Sequence, residues 1–153
     1  MVLIDNKQML GKLGESLVMK YFVEKNCKVI PSVDQFDKEK DLIVDNEKFE
    51  IKTQVLWKQE NAFTVERSQL TKCRNVSRLI WIEVPTPFSS ENTPLYILED
   101  LPIEKRQFRL KKTKNGKVMY LRDKKQMTLL ETITDVKIIS QAKRFSSSEY
   151  KGK

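Results

Sequence analysis

The chain has 153 residues, of which 39% are apolar and 33% charged, so it is long enough to form one domain with a buried core. The absence of histidine excludes Ser-His-Asp and Cys-His catalysis and any metal site built on imidazole ligands. The formal net charge of +8 favours a polyanionic partner.

The first predicted element is an amphipathic helix over residues 6–25, whose apolar side chains recur at helical spacing along one stripe. Gly11 and Gly14 interrupt this helix, and each lowers its stability by roughly 1 kcal/mol relative to alanine. Such a loss indicates close approach of the backbone to a strand or to a phosphate. Glu15 lies beyond the edge of the stripe. The alternative is that Glu15 is an ordinary surface residue and that the glycines are merely tolerated.

Residues 42–55 predict two antiparallel strands joined by a tight turn. The second strand alternates strictly, so its apolar residues share one face, which can face a core. Glu50, Lys52 and Gln54 share the other face. Asp41 opens the preceding strand, and the hairpin brings it back near this polar row.

Two carboxylates and one ammonium on one surface of a sheet suit metal-assisted phosphodiester hydrolysis. Asp41 and Glu50 offer the oxygen ligands that Mg²⁺ prefers, and the metal lowers the pKa of bound water and neutralises the scissile phosphate. Lys52 can orient or help deprotonate the attacking water. The alternative interpretation is the solvated face of an ordinary hairpin.

The rest of the chain alternates between predicted strands and helices. We predict strands at residues 27–30, 63–65, 78–84, 95–98 and 127–133, a helix at 66–75, a second hairpin at 106–122, and a strand or short helix at 136–139. The outer face of the helix is predicted to carry Arg67, Lys72 and Arg74. This order predicts an α/β fold with a mixed central sheet flanked by helices.

A single domain is predicted for residues 1–140, because no linker separates two units. Its core spans about residues 6–100, and the basic hairpin and closing segments span about residues 101–140. Residues 141–153 contain several serines and lysines, and this composition predicts a flexible tail.

Positive charge is concentrated in residues 105–125, which contain ten Lys or Arg residues and one acid, Asp123. The Asn115-Gly116 pair at the centre is preferred in type I′ hairpin turns. A basic β-ribbon can contact phosphates across a groove without reading bases. The alternative is a solubilising surface. The predicted nucleic-acid-binding residues are Lys105, Arg106, Arg109, Lys111, Lys112, Lys114, Lys117, Arg122, Lys124 and Lys125.

The first part of the chain resembles the PD-(D/E)XK nuclease superfamily, the restriction-endonuclease-like fold, and is most similar in style to its small Holliday-junction-resolvase-like members. The matching residues are Gly11, Gly14 and Glu15 on the first helix, Asp41 on the second strand, and Glu50, Ile51, Lys52 and Gln54 on the third. The resemblance covers roughly the first 84 residues, in the family's order of helices and strands. The proline that names the motif is absent, and Lys40 precedes Asp41.

The resemblance implies a role for each matching polar residue. Asp41, Glu50 and the Ile51 carbonyl would ligate Mg²⁺ or Mn²⁺, and Glu15 would complete the metal shell or orient it through water. Lys52 would position or activate the attacking water. Gln54, the residue two positions after Lys52, would bind near the scissile phosphate.

We therefore predict a metal-dependent DNA endonuclease that acts on branched, junction or otherwise structured DNA in recombination, repair or restriction. Symmetric cleavage of two strands favours a homodimer. The alternatives are an RNA endonuclease on the same fold, a non-catalytic nucleic-acid-binding module, and a component of a larger assembly that is active with its partner. Without an apolar run of ~20 residues or a signal peptide, the chain is predicted to be cytoplasmic or nucleoid-associated and not secreted.

Overall fold

A computed structural model describes residues 5–31 and 42–146, in which three α-helices and nine strands are the main elements. In chain order these are α1 (Asn6–Glu24), β1 (Val29–Pro31), β2 (Leu42–Val44), β3 (Glu47–Val55), β4 (Ala62–Val65), α2 (Arg67–Asn75), β5 (Arg78–Val84), β6 (Leu95–Glu99), β7 (Arg109–Lys112), β8 (Val118–Asp123), β9 (Thr128–Ile133) and α3 (Val136–Ser146). Within these ranges, every helix is too short or too polar to cross a membrane.

Six of the strands form a mixed sheet in the order β1-β2-β3-β5-β6-β9. Strands β3 and β5 run parallel, and the other neighbours in this sheet run antiparallel. A second, smaller sheet has the order β4-β8-β7 and is antiparallel throughout. The predicted α/β class with a mixed sheet is therefore confirmed.

The N-terminal helix begins with a capping box. The Asp5 carboxylate accepts from the backbone N–H of Gln8 at 2.8 Å, and the Gln8 side chain accepts from the backbone N–H of Asp5 at 3.2 Å. Gly14 faces β3 so closely that a Cβ built there would lie 1.8 Å from Thr53 Oγ1, whereas Gly11 has no such neighbour within 4 Å. The close backbone approach that the two glycines predict is therefore a contact between the helix and a strand, and it occurs at Gly14.

The turns of the two hairpins have different backbone conformations. Asp45 and Asn46 both have positive φ, 48° and 70°, which is the type I′ geometry that suits a two-residue connection between β2 and β3. In the β7–β8 connection the positive φ of 80° falls on Gly116, and Gly116 N–H donates to the Thr113 carbonyl at 2.9 Å. That pattern is a type I turn closed by a glycine bulge, so the predicted type I′ turn at Asn115-Gly116 is wrong.

One face of the main sheet is covered by α1 and α3. Its buried residues are Leu10, Leu17, Val18 and Phe22 from α1, Phe49, Ile51, Val55, Ile80 and Ile82 from β3 and β5, and Ile139, Ala142 and Phe145 from α3, among others. The segment predicted as a strand or short helix at 136–139 is the start of α3. Residue 141, where a flexible tail was predicted to begin, lies inside this helix, which continues to Ser146 because Ala142 and Phe145 are buried.

The other face of the main sheet is covered by α2 and the smaller sheet. The buried side chains here are Phe63, Val65, Cys73, Val76, Leu79, Trp81 and Leu98. Phe63 stacks on Trp81 with ring centroids 4.8 Å apart. Strand β5 is therefore apolar on both faces, as its sequence predicts for a central strand.

A buried ion pair joins the two sheets. Arg122 of β8 donates from Nη2 to Asp100 Oδ1 at 2.6 Å and from Nε to Oδ2 at 2.9 Å. Trp81 Nε1 donates to the same Oδ2 at 2.8 Å. Arg122 and Asp100 are 1% and 5% exposed, so water does not stabilise either charge. Each charge is stabilised by its partner instead.

Candidate active site

The predicted polar row lies on β3, but it does not face solvent. Phe49, Ile51 and Val55 point into the core under α1, so the alternating residues point towards α2 and the smaller sheet. Glu50 is only 1% exposed. An ordinary solvated hairpin face does not describe this carboxylate, because burial of an ionised group requires charged or hydrogen-bonding partners.

Two ammonium groups flank the Glu50 carboxylate. Lys52 Nζ lies 3.4 Å from Oε1, and Lys72 Nζ lies 2.9 Å from Oε2. Lys52 also donates from Nζ to Gln69 Oε1 at 2.9 Å. The side chains of Lys52 and Lys72 are 22% and 18% exposed, so the cluster is largely desolvated and its electrostatic interactions are stronger than those of a surface pair.

Helix α2 supplies the two members of this cluster that sequence reasoning missed. Gln69 and Lys72 are three residues apart and therefore lie on one face of the helix. The prediction that Lys72 lies on the outer face is wrong, because its ammonium is directed at Glu50. A usable signal was its position next to Cys73, the buried residue of the same short helix.

The pKa of the Cys73 thiol indicates how apolar the surroundings of this cluster are. Burial raises the pKa of its thiol to about 11, despite the opposing effect of the nearby Lys52 ammonium. The thiol therefore stays protonated near neutral pH and does not act as a nucleophile or thiolate ligand. The carboxylate and the two lysines are the groups of this cluster that can carry chemistry.

Gln54, the third member of the polar row, binds a neighbouring strand. Its Oε1 accepts from the backbone N–H of Thr64 at 2.9 Å, and its Nε2 donates to the Thr64 carbonyl at 3.0 Å. The amide thus holds β4 beside β3 in the manner of a strand partner. A role near a phosphate remains a prediction for this residue.

Two further carboxylates were predicted as ligands, and one of them belongs to the described residues. Asp41 is outside the described residues, and the adjacent Leu42 pairs with Phe49, the neighbour of Glu50. Glu15 is half-buried on α1, the helix that covers the face of the sheet opposite to the one from which Glu50 projects. Across residues 5–31 and 42–146, no three Asp, Glu or Cys side chains are grouped so that they could hold a metal ion.

Two of the ten predicted nucleic-acid-binding residues are buried. Arg122 belongs to the ion pair with Asp100, and Arg106 is 5% exposed. Arg106 donates from Nη1 to the carbonyls of Cys73 at 2.5 Å and Val76 at 3.1 Å, at the end of α2. Burial lowers the pKa of Arg106 from its ordinary value. Both guanidinium groups face protein acceptors.

Three of the other eight form ion pairs. Arg109 bonds to Asp123 and Glu60, and these bonds raise its pKa. Lys111 lies 3.4 Å from Glu60, and Lys124 lies 2.5 Å from Glu83. The predicted residues that are exposed without such a pair in the described part of the chain are Lys105, Lys112, Lys114, Lys117 and Lys125. The β7–β8 hairpin therefore offers fewer exposed, unpaired cationic side chains than its number of Lys and Arg residues indicates.

Comparison of this chain with protein-family models, with curated proteins and with solved structures found no match. Function is therefore inferred from side-chain chemistry. The arrangement that requires explanation is the Glu50 cluster, because a buried carboxylate with two lysines is costly to assemble when fold stability alone is required.

Proposed function

We propose that this chain is a metal-dependent DNA endonuclease with a restriction-endonuclease-like core. The observation that carries the proposal is the buried Glu50 carboxylate held between Lys52 and Lys72 on the polar face of β3. Buried clusters of opposite charges such as this one are found more often at functional sites than elsewhere in a protein. The Glu-x-Lys spacing on one strand agrees with the resemblance drawn from the sequence.

Glu50 is an anionic oxygen donor of the kind that a hard divalent cation prefers, and because the Lys52 and Lys72 ammonium groups already offset its charge, further carboxylates are required to hold the cation. Glu50, Asp41 and the Ile51 carbonyl would hold Mg²⁺, or Mn²⁺ in its place, with Glu15 as the further candidate. When bound, the metal lowers the pKa of a water molecule and neutralises charge on the scissile phosphate.

Lys52 is the side chain proposed to act on the attacking water. Its ammonium is fixed by Glu50 at 3.4 Å and by Gln69 at 2.9 Å, so it is held in place before substrate arrives. It retains 22% exposure, which leaves it within reach of a bound phosphate. There it orients the water and offsets the negative charge that develops on the phosphorus oxygens.

The β7–β8 hairpin is proposed to contact the DNA backbone through its exposed lysines. Such contacts do not depend on sequence, which fits a substrate recognised by its shape, such as branched or junction DNA. Cutting two strands symmetrically requires two active sites, and therefore a homodimer of this chain. Recombination, repair and restriction are the processes in which such cuts are made.

The first test is cleavage of a labelled panel of linear duplex, single strand, four-way junction and RNA in Mg²⁺, Mn²⁺ or EDTA. We expect metal-dependent cutting of DNA that falls at least about a thousandfold in Glu50→Gln, because metal binding supplies several kcal/mol of transition-state stabilisation. Glu99→Gln is the matched control. It removes a carboxylate from the half-buried pair with Arg78, whose Nε lies 2.6 Å from Oε2.

Each other outcome contradicts a defined part of the proposal. Cutting of RNA alone would assign the same chemistry to a ribonuclease. Tight binding of DNA without cleavage, and without any effect of EDTA or Glu50→Gln, would indicate a nucleic-acid-binding module. Equal loss in Glu50→Gln and Glu99→Gln would trace the effect to stability.

The hairpin makes a separate prediction about salt dependence. Replacing Lys112, Lys114 and Lys117 with alanine should reduce the slope of log Kd against log salt concentration for duplex DNA by about 0.9 for each phosphate that the variant no longer neutralises. The control replaces three exposed lysines of α1, Lys7, Lys12 and Lys20. An unchanged slope in the hairpin variant would place the DNA on another surface.

A further inference from the structure

A cavity of about 350 Å³ lies at the β9 edge of the main sheet, beside the turn that follows β8. Its apolar wall is formed by Tyr96 and Leu98 of β6, Leu129 of β9, and Met127. Leu98 is 4% exposed, whereas Leu129, its partner on the neighbouring strand, is 53% exposed. The volume is near the lower end of the range for small-molecule sites, so the cavity suits a single small group.

The polar residues that line this cavity are Asn61, Lys124 and Lys125, and none of its lining residues in the described part of the chain is an acid. Lys124 Nζ lies 5.0 Å from the centre of the Tyr96 ring and 2.5 Å from Glu83 Oε1, so its charge is already compensated. Lys125 is exposed and forms no ion pair with a described residue. The cavity therefore combines an aromatic and apolar wall with one uncompensated positive charge.

The cavity lies at the base of the β7–β8 hairpin. Strand β8 has six residues, so at about 3.3 Å per residue the lysines of the hairpin tip are roughly 20 Å away. The strand register aligns Tyr96 with Glu83, and Glu83 with Gln54 of β3. Tyr96 thus lies about 10 Å from Gln54, on the face of the main sheet from which Glu50 also projects. A strand of DNA bound along the hairpin would reach this cavity.

We propose that the cavity binds one unpaired nucleobase of the DNA substrate, with the adjoining phosphate on Lys125. The inference rests on the proposed function and narrows its substrate to DNA that carries unpaired nucleotides. A nucleotide joins a planar face that stacks on aromatic and apolar side chains to a negative charge, so one ligand uses both features of the cavity. A free phosphate would leave the apolar wall uncovered, and an apolar side chain of a protein partner would make no use of Lys125.

The requirement for an unpaired base follows from how bases are covered in a duplex. Each base there is stacked on its neighbours, so its face reaches a protein only after it leaves the stack. A cavity of this size has room for one base and not for a base pair. The site therefore favours single strands, flaps, bulges and open branch points over intact duplex, and it does so without reading sequence.

The test measures the Kd, by fluorescence anisotropy in EDTA, for a labelled oligothymidylate and for an abasic strand of equal length, which keeps the phosphates and lacks the bases. The wild-type chain should bind the oligothymidylate at least about fivefold more tightly, the lower end of the effect of one stacked base. Tyr96→Leu should remove most of this difference and leave the Kd for the abasic strand within about twofold of the wild-type value.

The matched control is Tyr21→Leu. Tyr21 is also half-buried and also has a lysine ammonium over its ring, that of Lys25 at 5.4 Å, but it lies on α1. A second variant, Lys125→Gln, changes an exposed residue and so preserves the fold. It should reduce the slope of log Kd against log salt concentration by about 0.7, the value for one phosphate of a single strand.

The outcomes separate this inference from the function on which it rests. Equal Kd values for the two strands in the wild-type chain overturn the inference and favour an apolar side chain of a protein as the occupant, whereas metal-dependent cleavage would still support the nuclease. A base preference that survives in Tyr96→Leu, an equal loss in Tyr21→Leu, or an unchanged slope in Lys125→Gln also overturns it. Base-dependent binding through Tyr96 in a chain that cuts no member of the cleavage panel supports the cavity and contradicts the nuclease alone.

Discussion

Arg122→Met should lower the free energy of unfolding by about 3–5 kcal/mol, the range found when one partner of a buried ion pair is removed. The variant leaves the Asp100 carboxylate buried with Trp81 Nε1 as its remaining side-chain donor among the described contacts. The pair also joins β8 to the main sheet, so the smaller sheet should loosen first. The measurement is urea unfolding followed by tryptophan fluorescence, since Trp81 lies at the site of the change.

The control for this prediction is Arg109→Met in the same hairpin. Arg109 also bonds to two carboxylates, those of Glu60 and Asp123, but it is exposed, so its loss should change stability by less than about 1 kcal/mol. Equal effects of the two substitutions would contradict the assignment of Arg122 to the core. A selective loss of DNA affinity in Arg122→Met with unchanged stability would return this residue to the nucleic-acid surface.

Lys52→Ala should lower the single-turnover cleavage rate by about a thousandfold and change DNA affinity by less than about twofold. The Glu50 carboxylate keeps Lys72 at 2.9 Å, so the fold and the carboxylate position should survive the change. In the proposed function, DNA affinity comes from other cations, chiefly the exposed lysines of the hairpin. The measurements are quenched-flow cleavage in Mg²⁺ and fluorescence anisotropy of labelled DNA in Ca²⁺.

The matched control is Lys58→Ala, which removes an exposed lysine beyond the end of β3 and should leave both values unchanged. Strong loss of DNA binding in Lys52→Ala would reassign this side chain to anchoring the phosphate. An unchanged cleavage rate would remove Lys52 from the site altogether.

The central hairpin could be predicted from the sequence because its information is local. A period of two over residues 49–55 fixes which side chains share a face, and Asp45-Asn46 fixes a two-residue turn. The alternation of apolar and polar residues does not show which helix or sheet covers each face of the strand. Glu50 was therefore placed correctly on the polar row, although its burial under α2 depends on contacts with a helix later in the chain.

The missed residues have partners that are distant in sequence. Arg122 and Arg106 belong to a run dense in positive charge, and their burial depends on Asp100 and on the end of α2. The segment predicted at 136–139 covers only the start of α3, because its apolar residues form a run too short to show a helical period. The spacing of Ile139, Ala142 and Phe145 becomes informative once α1 is known to lie beside it.

The packing of α1 against α3 governs the order in which the chain can fold. Leu10 and Leu17 of the first helix share one buried cluster with Ile139 and Phe145 of the last helix, so this contact joins opposite ends of the described chain. Contacts of such high sequence separation close large loops and form slowly. During synthesis, α1 would keep part of its apolar face uncovered until α3 has emerged from the ribosome, and over that interval this face is available for aggregation.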